Sequence, residues 1–401
     1  MKEGWTYEKL GEVCDTINGL WKGKKPPFVN VGVIRNANFT KDFTLRFDNI
    51  EYLDVEERQY SKRKLQKGDL IVEKSGGSEK QPVGRAVLFD RENGEFSFSN
   101  FTSVLRIKDK NTLLSEFLYK YLLFIYKRGD TSTMQKATTG IHNIEFEKYL
   151  NIDVPCIPLS EQRSIVARLD AAFSHIDALK ANAEKQLNEA RKLFQAELTE
   201  CMTPKEGWEE KMLGEVTTEM YRGSGIKRDQ VTKEGTPCVR YGEIYTTYNV
   251  AFERCVSHTC KELISSPKYF EHGDLLFAIT GESVDDIGKT IAYMGHDKCL
   301  LGGDIICMKH EQNAKYLSYA LSTPDAIRQK GIGKTKLKVV HTNAPALKSI
   351  KIPLPPLAIQ QAIVSHLDSL SSNIRKLEEL QQETIAECDA LKQAMLREVF
   401  E

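Results

Sequence analysis

One stretch of this chain occurs twice. From Ile152 the sequence reads IDVPCIPLSEQRSIVARLDAAF and runs on without Gly or Pro from Leu159 to Thr203. From Ile350 it reads IKIPLPPLAIQQAIVSHLDSL, and neither residue occurs again up to Glu401. An offset of 198 pairs Pro155 with Pro353, Pro158 with Pro356, Leu159 with Leu357, Gln162 with Gln360, Leu169 with Leu367 and Asp170 with Asp368. A repeat of this length means a duplicated architecture. Proline is tolerated before or at a first helical turn and not inside a helix, so each Pro-rich link predicts a helix start.

The apolar positions of the first run are Ile165, Leu169, Ala172, Ile176, Leu179, Ala183, Ala190 and Leu193. Those of the second are Ile363, Leu367, Leu370, Ile374, Leu377, Cys388, Leu391 and Met395, with Gln381 and Thr384 between. Alternating steps of four and three make a coiled-coil seam. About 40 residues at 1.5 Å each give a rod on the order of 60 Å, longer than one amphipathic helix packed on its own core requires. Two antiparallel rods are expected, with polar breaks at Gln186 and Thr384 near the same depth, internal pseudo-twofold symmetry, and the two ends of the chain close in space.

The segments before the rods repeat as well. KEGW and LGEV open the first at Lys2 and Leu10 and the second at Lys205 and Leu213. KGDLIV at Lys67 answers HGDLLF at His272, each a Gly-Asp turn followed by a buried strand. VGRAVL at Val83 answers IGKTIA at Ile287; SVLRI at Ser103 and IICMK from Ile305 are further strands. Glu116 to Tyr126 and Ala314 to Leu321 carry apolar residues at helical spacing. The expected fold is α+β: globular segments with mixed sheets at 1–158 and 205–356, and long helices at 159–204 and 357–401.

Composition narrows the function. Of 401 residues 41% are hydrophobic and 28% charged, the mixture of a soluble protein. No apolar run spans a bilayer, and the first residues lack a signal peptide's apolar stretch. Nine cysteines without a CxxC pair fit free thiols in a reducing cytoplasm, and no Cys/His group has the spacing of a structural zinc site. Net charge is zero over the chain. It is +3 over 1–158 (25 Lys+Arg, 22 Asp+Glu) and +2 over 205–356 (21 and 19), against −1 and −4 in the helical runs. The helices and the globular segments are therefore expected to have different partners.

No catalytic constellation emerges. KPPF at Lys25 resembles the Asp/Asn-Pro-Pro loop of amino-group methyltransferases, but Lys stands where the polar residue should be and no Gly-rich cofactor loop precedes it. GKT at Gly288 and Gly333 lacks the P-loop glycine five residues earlier. No catalytic, cofactor-binding or metal-binding residue is expected in this chain.

Basic, amide and hydroxyl residues instead collect in loops at matching places. The first copy offers Lys22, Lys24 and Lys25; Arg35, Asn36 and Asn38; Lys74, Ser75, Lys80 and Arg85; and Thr138, Thr139, His142 and Asn143. The second offers Arg222, Lys227 and Arg228; Arg240, Tyr241 and Tyr245; Thr280, Ser283, Lys289 and Thr290; and Lys334, Lys336, Lys338, His341 and Asn343. Lys and Arg neutralise phosphates, while Arg and Asn read guanine and adenine edges in the major groove.

The IPLPPLxxQ…IVxxLD entry into a long helix, repeated after two variable segments that each contain GDLI or GDLL and VGR or IGK, resembles the specificity subunit of type I restriction-modification systems. The resemblance covers essentially the whole chain. It implies two target-recognition domains, each reading half of a split double-stranded DNA site. The helices would act as spacer and as docking surface for two methyltransferase subunits. Restriction and translocase subunits would be further partners where present. S-adenosylmethionine, ATP and Mg would belong to those partners. Two other readings stay open at this point: a coiled-coil protein with two heads for non-DNA ligands, and a solitary DNA-modifying enzyme.

Overall fold

The computed structural model describes residues 2–21, 23–79, 81–138, 140–333 and 339–401. The chain divides into two compact units, Met1–Ala183 with Gln382–Glu401, and Glu184–Gln381.

In the first unit, KEGW is a turn. Gly4 takes a positive φ of 83°, and the Trp5 N–H donates to the Lys2 carbonyl at 3.3 Å. Strand Thr6–Lys9 then pairs antiparallel with Asp153–Cys156, so the first Pro-rich link is itself a strand. The LGEV turn, Leu10–Val13, buries Leu10 fully, and the Glu12 carboxylate accepts the Lys9 N–H at 3.2 Å. An antiparallel sheet runs in the order Cys14–Asn18, Thr102–Ile107, Leu70–Glu73, Ala86–Leu88. A second sheet holds Glu51–Glu56, Phe28–Ile34 and Phe96–Phe98, the last two parallel.

Period-two alternation explains why LIVE is apolar on both faces. Leu70 and Val72 enter a core with helix Ser115–Arg128, while Ile71 enters another with Ile34, Phe96 and Phe98. The start of the first long helix (Leu159–Cys201) adds Ile165, Leu169 and Phe173 to the former core, and the end of the second (Leu357–Phe400) adds Leu396, Val399 and Phe400. Each such side chain contributes about 1.5–3 kcal/mol when fully buried. Residues 2–5 and 399–400 are neighbours: Lys2 Nζ donates to the Val399 carbonyl at 2.8 Å, and Trp5 meets Phe400 edge-on.

The second unit repeats this plan. Gly207 takes φ 81° and the Trp208 N–H donates to the Lys205 carbonyl at 3.0 Å. Glu209–Met212 pairs with Lys351–Leu354. The main sheet runs Thr217–Arg222, Ile305–His310, Leu275–Ala278, Thr290–Tyr293, Ala251–Phe252. In the second sheet Thr236–Val239 lies parallel to Cys299–Leu301. Leu275 and Phe277 face one core, together with Leu198, Met202, Val364 and Leu367 of the long helices; Leu276 and Ala278 face the other.

Two repeated motifs have structural causes. Gly68 and Gly273 take φ of 95° and 85°, where a Cβ would be strained. The aspartate that follows accepts a backbone N–H three residues back, Gln66 to Asp69 and Glu271 to Asp274, each at 2.8 Å. Asp69 also takes a two-point bond from Arg106 and Asp274 one from Lys309. Gln162 and Gln360 are fully buried. The Gln162 amide donates to the Thr112 and Ile157 carbonyls and accepts from the Leu114 N–H. Gln360 donates to the Pro355 carbonyl and accepts from the Asn313 N–H. Each glutamine pins the entry of its long helix to the segment before a shorter one.

Within each unit, portions of the two long helices lie side by side and run in opposite directions. In the first, Asp177 pairs with Lys392 and Lys180 with Asp389. In the second, Gln186 pairs with Gln381, Arg191 with Glu378 and Glu197 with His366. The seam departs from its expected membership. Leu179, Leu193 and Leu391 are exposed, whereas Phe173, Leu198 and Leu396 are buried. A heptad frame drifts by about 20° per repeat on a straight helix of 3.6 residues per turn, so the buried face moves on to neighbouring positions. Of the expected polar breaks, Gln186 and Gln381 meet at 2.9 Å. No helix is long and apolar enough to cross a membrane among the described residues.

Candidate nucleic-acid interface

A small sheet edge organises the candidate residues in each unit. In the first, Ser75–Gly77 pairs with Ile141–Ile144, which pairs with Gln135–Thr138. In the second, Thr280–Gly281 pairs with Val340–His341. Each follows directly on the buried strand that ends the GDL motif. The register puts Ser75 opposite Asn143 and Thr280 opposite His341. One backbone frame thus presents a hydroxyl across from an amide in one copy and from an imidazole in the other. Thr280 Oγ1 and His341 Nδ1 are 3.1 Å apart.

A capped turn stands at the end of the parallel strand in both copies. The Arg35 N–H donates to Asn38 Oδ1 at 2.8 Å, and the Arg240 N–H to Glu243 Oε2 at 3.1 Å. This assigns Asn38 an internal role. It is 1% exposed and its amide is shared between that cap and Asn49. Asn36 and Tyr241 occupy the first position of the turn. Asn36 Nδ2 donates to the Ser75 carbonyl at 2.6 Å, joining the turn to the small sheet. In the second copy Tyr245, from the same turn, donates its hydroxyl to the Asp286 carbonyl at 3.2 Å, in the loop that follows Thr280–Gly281. Burial pushes its phenol up, so it remains a proton donor.

In the first unit the fold brings together Asn36, Lys74, Ser75, His142 and Asn143. Lys74 Nζ reaches Asn18 Oδ1 at 3.4 Å, and burial lowers its ammonium from the ordinary lysine value. Among the described residues, the buried Asn36 Oδ1, Arg35 Nε and His142 Nδ1 have no hydrogen-bond partner. A buried polar atom without a partner costs about 1–3 kcal/mol, and such atoms mark places where another molecule can complete the bonding. Arg35 Nη1 pairs with Glu51. Lys24 and Lys25 are exposed beside Trp21, itself 66% exposed.

Other candidates are engaged inside the fold. Arg85 makes a two-point bond to Glu73 at 2.7 and 3.1 Å, both nearly buried. Removing one partner of such a pair costs about 3–5 kcal/mol, because the other charge stays buried. Thr290 is buried, donates to the Gly288 carbonyl and receives Lys330 Nζ. Ser283 donates to Asp286 at 2.6 Å. Lys289 donates to the Tyr248 carbonyl at 3.0 Å, and burial lowers its ammonium. Arg222 donates to Asp304 at 2.7 Å on an exposed edge, and Lys227 and Arg228 are exposed. Thr138 lends its backbone to the small sheet opposite Ile141. Lys22, Lys80, Thr139, Lys334, Lys336 and Lys338 lie outside the described residues.

The structure adds residues that sequence reasoning passed over. Asn18 lies under Lys74. Phe101, 55% exposed, accepts the Lys74 and Ser75 N–H groups through its carbonyl. Ile141, 52% exposed, begins the central strand of the small sheet. Phe101 carried a signal: a large aromatic side chain inside a polar loop.

The family model for the type I restriction modification DNA specificity domain matches this chain twice, over residues 2–189 and 205–386. The EcoKI type I restriction enzyme specificity subunit of Escherichia coli K12 is 24% identical over 432 residues, covering all of this chain and 89% of that protein. The StySPI specificity subunit of Salmonella potsdam is 23% identical over 442 residues, with the same coverage. Among solved structures, a chain from "Structural basis underlying complex assembly and conformational transition of the type I R-M system" has a TM-score of 0.76 at 20% identity, covering 100% of this chain and 98% of that one. The HsdS subunit of Thermoanaerobacter tengcongensis has a TM-score of 0.54 at 21% identity, covering 100% and 97%. The match over both copies of the repeat, with the common fold beneath it, places the chain in one family: it belongs to the type I restriction-modification DNA specificity family.

Proposed function

We propose that each globular segment, 1–158 and 205–356, reads one half of a bipartite DNA target through the major groove. The long helices at 159–204 and 357–401 set the gap between the halves and dock two methyltransferase subunits. The exposed Leu179, Leu193 and Leu391 are candidates for that docking face. Adenine methylation, cleavage and the S-adenosylmethionine, ATP and Mg they require reside in partner subunits, and the chain itself is non-catalytic. Restriction and translocase subunits join where the system includes them, and the complex works in the cytoplasm.

One observation carries this reading. The two units hold a small sheet at the same place after the buried GDL strand, three-stranded in the first and two-stranded among the described residues of the second, and the same kind of capped turn, but fill them differently. Asn36, Ser75, His142 and Asn143 stand in one; Tyr241, Tyr245, Thr280 and His341 stand in the other. A duplicated frame with divergent hydrogen-bonding groups suits the reading of two different half-sites. Asn36 adds chemistry, since with Nδ2 engaged its Oδ1 accepts from an exocyclic base amine.

The test exchanges residues 1–158 for the matching segment of another family member, expresses the chain with its methyltransferase partner, and maps methylated adenines genome-wide. One half-site should change and the other persist. Change of both, or of neither, would overturn the assignment.

A further inference from the structure

We propose that Glu197, Cys201 and His366 form a binding site for a divalent transition-metal ion of the zinc type, clamping the last turns of the first long helix to the second. The three ligand atoms all lie within 4.8 Å of one another. His366 Nε2 is 2.8 Å from Glu197 Oε1, and Cys201 Sγ is 3.8 Å from the same oxygen. Glu197 and Cys201 are four residues apart, hence on one face of the first helix. Leu198 and Met202 beside them are buried, as are Val364 and Leu367 on either side of His366. The donors therefore sit at the edge of a packed core, with backbones held on both sides.

The chemistry matches a borderline-soft cation. Thiolate, imidazole nitrogen and carboxylate oxygen bind zinc at about 2.3, 2.0–2.1 and 2.0–2.2 Å. Tetrahedral donors at those lengths stand roughly 3.4–3.6 Å apart. The Cys201–Glu197 separation is already close to this, and His366 and Glu197 need to part by only about 0.6 Å. The ion replaces their hydrogen bond: the His366 imidazole takes the tautomer with its proton on Nδ1, which frees the Nε2 lone pair for the metal, and Cys201 releases its thiol proton to solvent as the sulfur–metal bond forms. Burial and the Glu197 carboxylate push that thiol up, with Lys205 opposing; a divalent cation reverses the bias. His366 and Glu197 keep partial solvent access, so water completes the coordination.

The repeat supplies an internal comparison. At the offset of 198 the equivalent positions are Met395, Val399 and Arg168. The duplicated scaffold therefore packs this junction without ligands in its other copy, and nothing in the fold demands Glu, Cys and His here. Spacing rules miss the set because its members come from two helices far apart in sequence.

The test titrates Co2+ and then Zn2+ into the full chain. The expected result is one equivalent bound, with a thiolate-to-cobalt charge-transfer band in the near ultraviolet and visible bands of tetrahedral intensity, both displaced by Zn2+. Cys201→Ser removes the charge-transfer band. His366→Ala, at an exposed position that preserves folding, weakens Zn2+ binding at least tenfold. Cys260→Ser, at an exposed cysteine elsewhere, leaves both intact. No charge-transfer band in the unaltered chain overturns the site, as does a band that survives in Cys201→Ser or a Zn2+ affinity unchanged in His366→Ala.

Discussion

Asn36 joins its turn to the small sheet through Nδ2 and leaves Oδ1 unpartnered; His142 does the same with Nδ1. If these atoms face bases, Asn36→Ala and His142→Ala should each lower affinity for the first half-site by about 1–3 kcal/mol. Methylome mapping should show relaxed sequence preference there and an unchanged second half-site. Uniform weakening at every sequence would reassign them to phosphate contact. Lys330 bears on stability. It is buried, and Nζ donates to the Leu321 carbonyl and Thr290 Oγ1, both uncharged. Burial lowers its ammonium to about 7, against about 10.4 for an unfolded lysine. Between those values the unfolded chain holds a proton that the folded chain lacks. Its contribution therefore rises with pH across that window and is lost as pH falls toward 7, by at most about 1.4 kcal/mol per unit. Lys330→Met should flatten the slope of stability between pH 7 and 9 in urea unfolding; an unaltered slope would reject this account.

At the scale of elements, the repeated parts were the legible ones. GDL, the Gly-Arg and Gly-Lys strands and the helix entries pair a local signal with a second copy, and they appear as strands Leu70–Glu73, Leu275–Ala278, Ala86–Leu88 and Thr290–Tyr293 and as the two long helices. The link strand Asp153–Cys156 escaped because its partner, Thr6–Lys9, lies at the other end of the segment. For the candidate site, sequence pattern finds polar loops but cannot tell a solvent-facing Arg from one consumed by a buried carboxylate. Arg85 with Glu73, and Asn38 with the Arg35 N–H, are both settled by contacts between separate elements. Each long helix is unbroken from Leu159 to Cys201 and from Leu357 to Phe400. Four residues inserted near Thr203 should lengthen the gap in the methylated sequence and preserve both half-sites. Altered half-sites with an unchanged gap would remove the spacer role.

For the molecule as a whole, the duplication explains how a chain with no net charge can engage DNA. Positive charge is held in the globular segments and negative charge in the helices. Under the proposed function, a duplex and protein partners would meet segments of opposite net charge.

The KEGW turn occurs at both places where a globular segment begins. Gly4 and Gly207 share its geometry, and the offset of 198 carries Thr203 onto Glu401. The link Thr203-Pro204-Lys205 in one copy thus corresponds to the place where residues 399–400 lie against residues 2–5 in the other. The same junction is a peptide link in one copy and a set of noncovalent contacts in the other. A circular permutant that begins at Lys205, joins Glu401 to Lys2 through a Thr-Pro linker and stops at Thr203 should fold and direct methylation to the same sites. Loss of soluble protein would show that the original opening matters to folding.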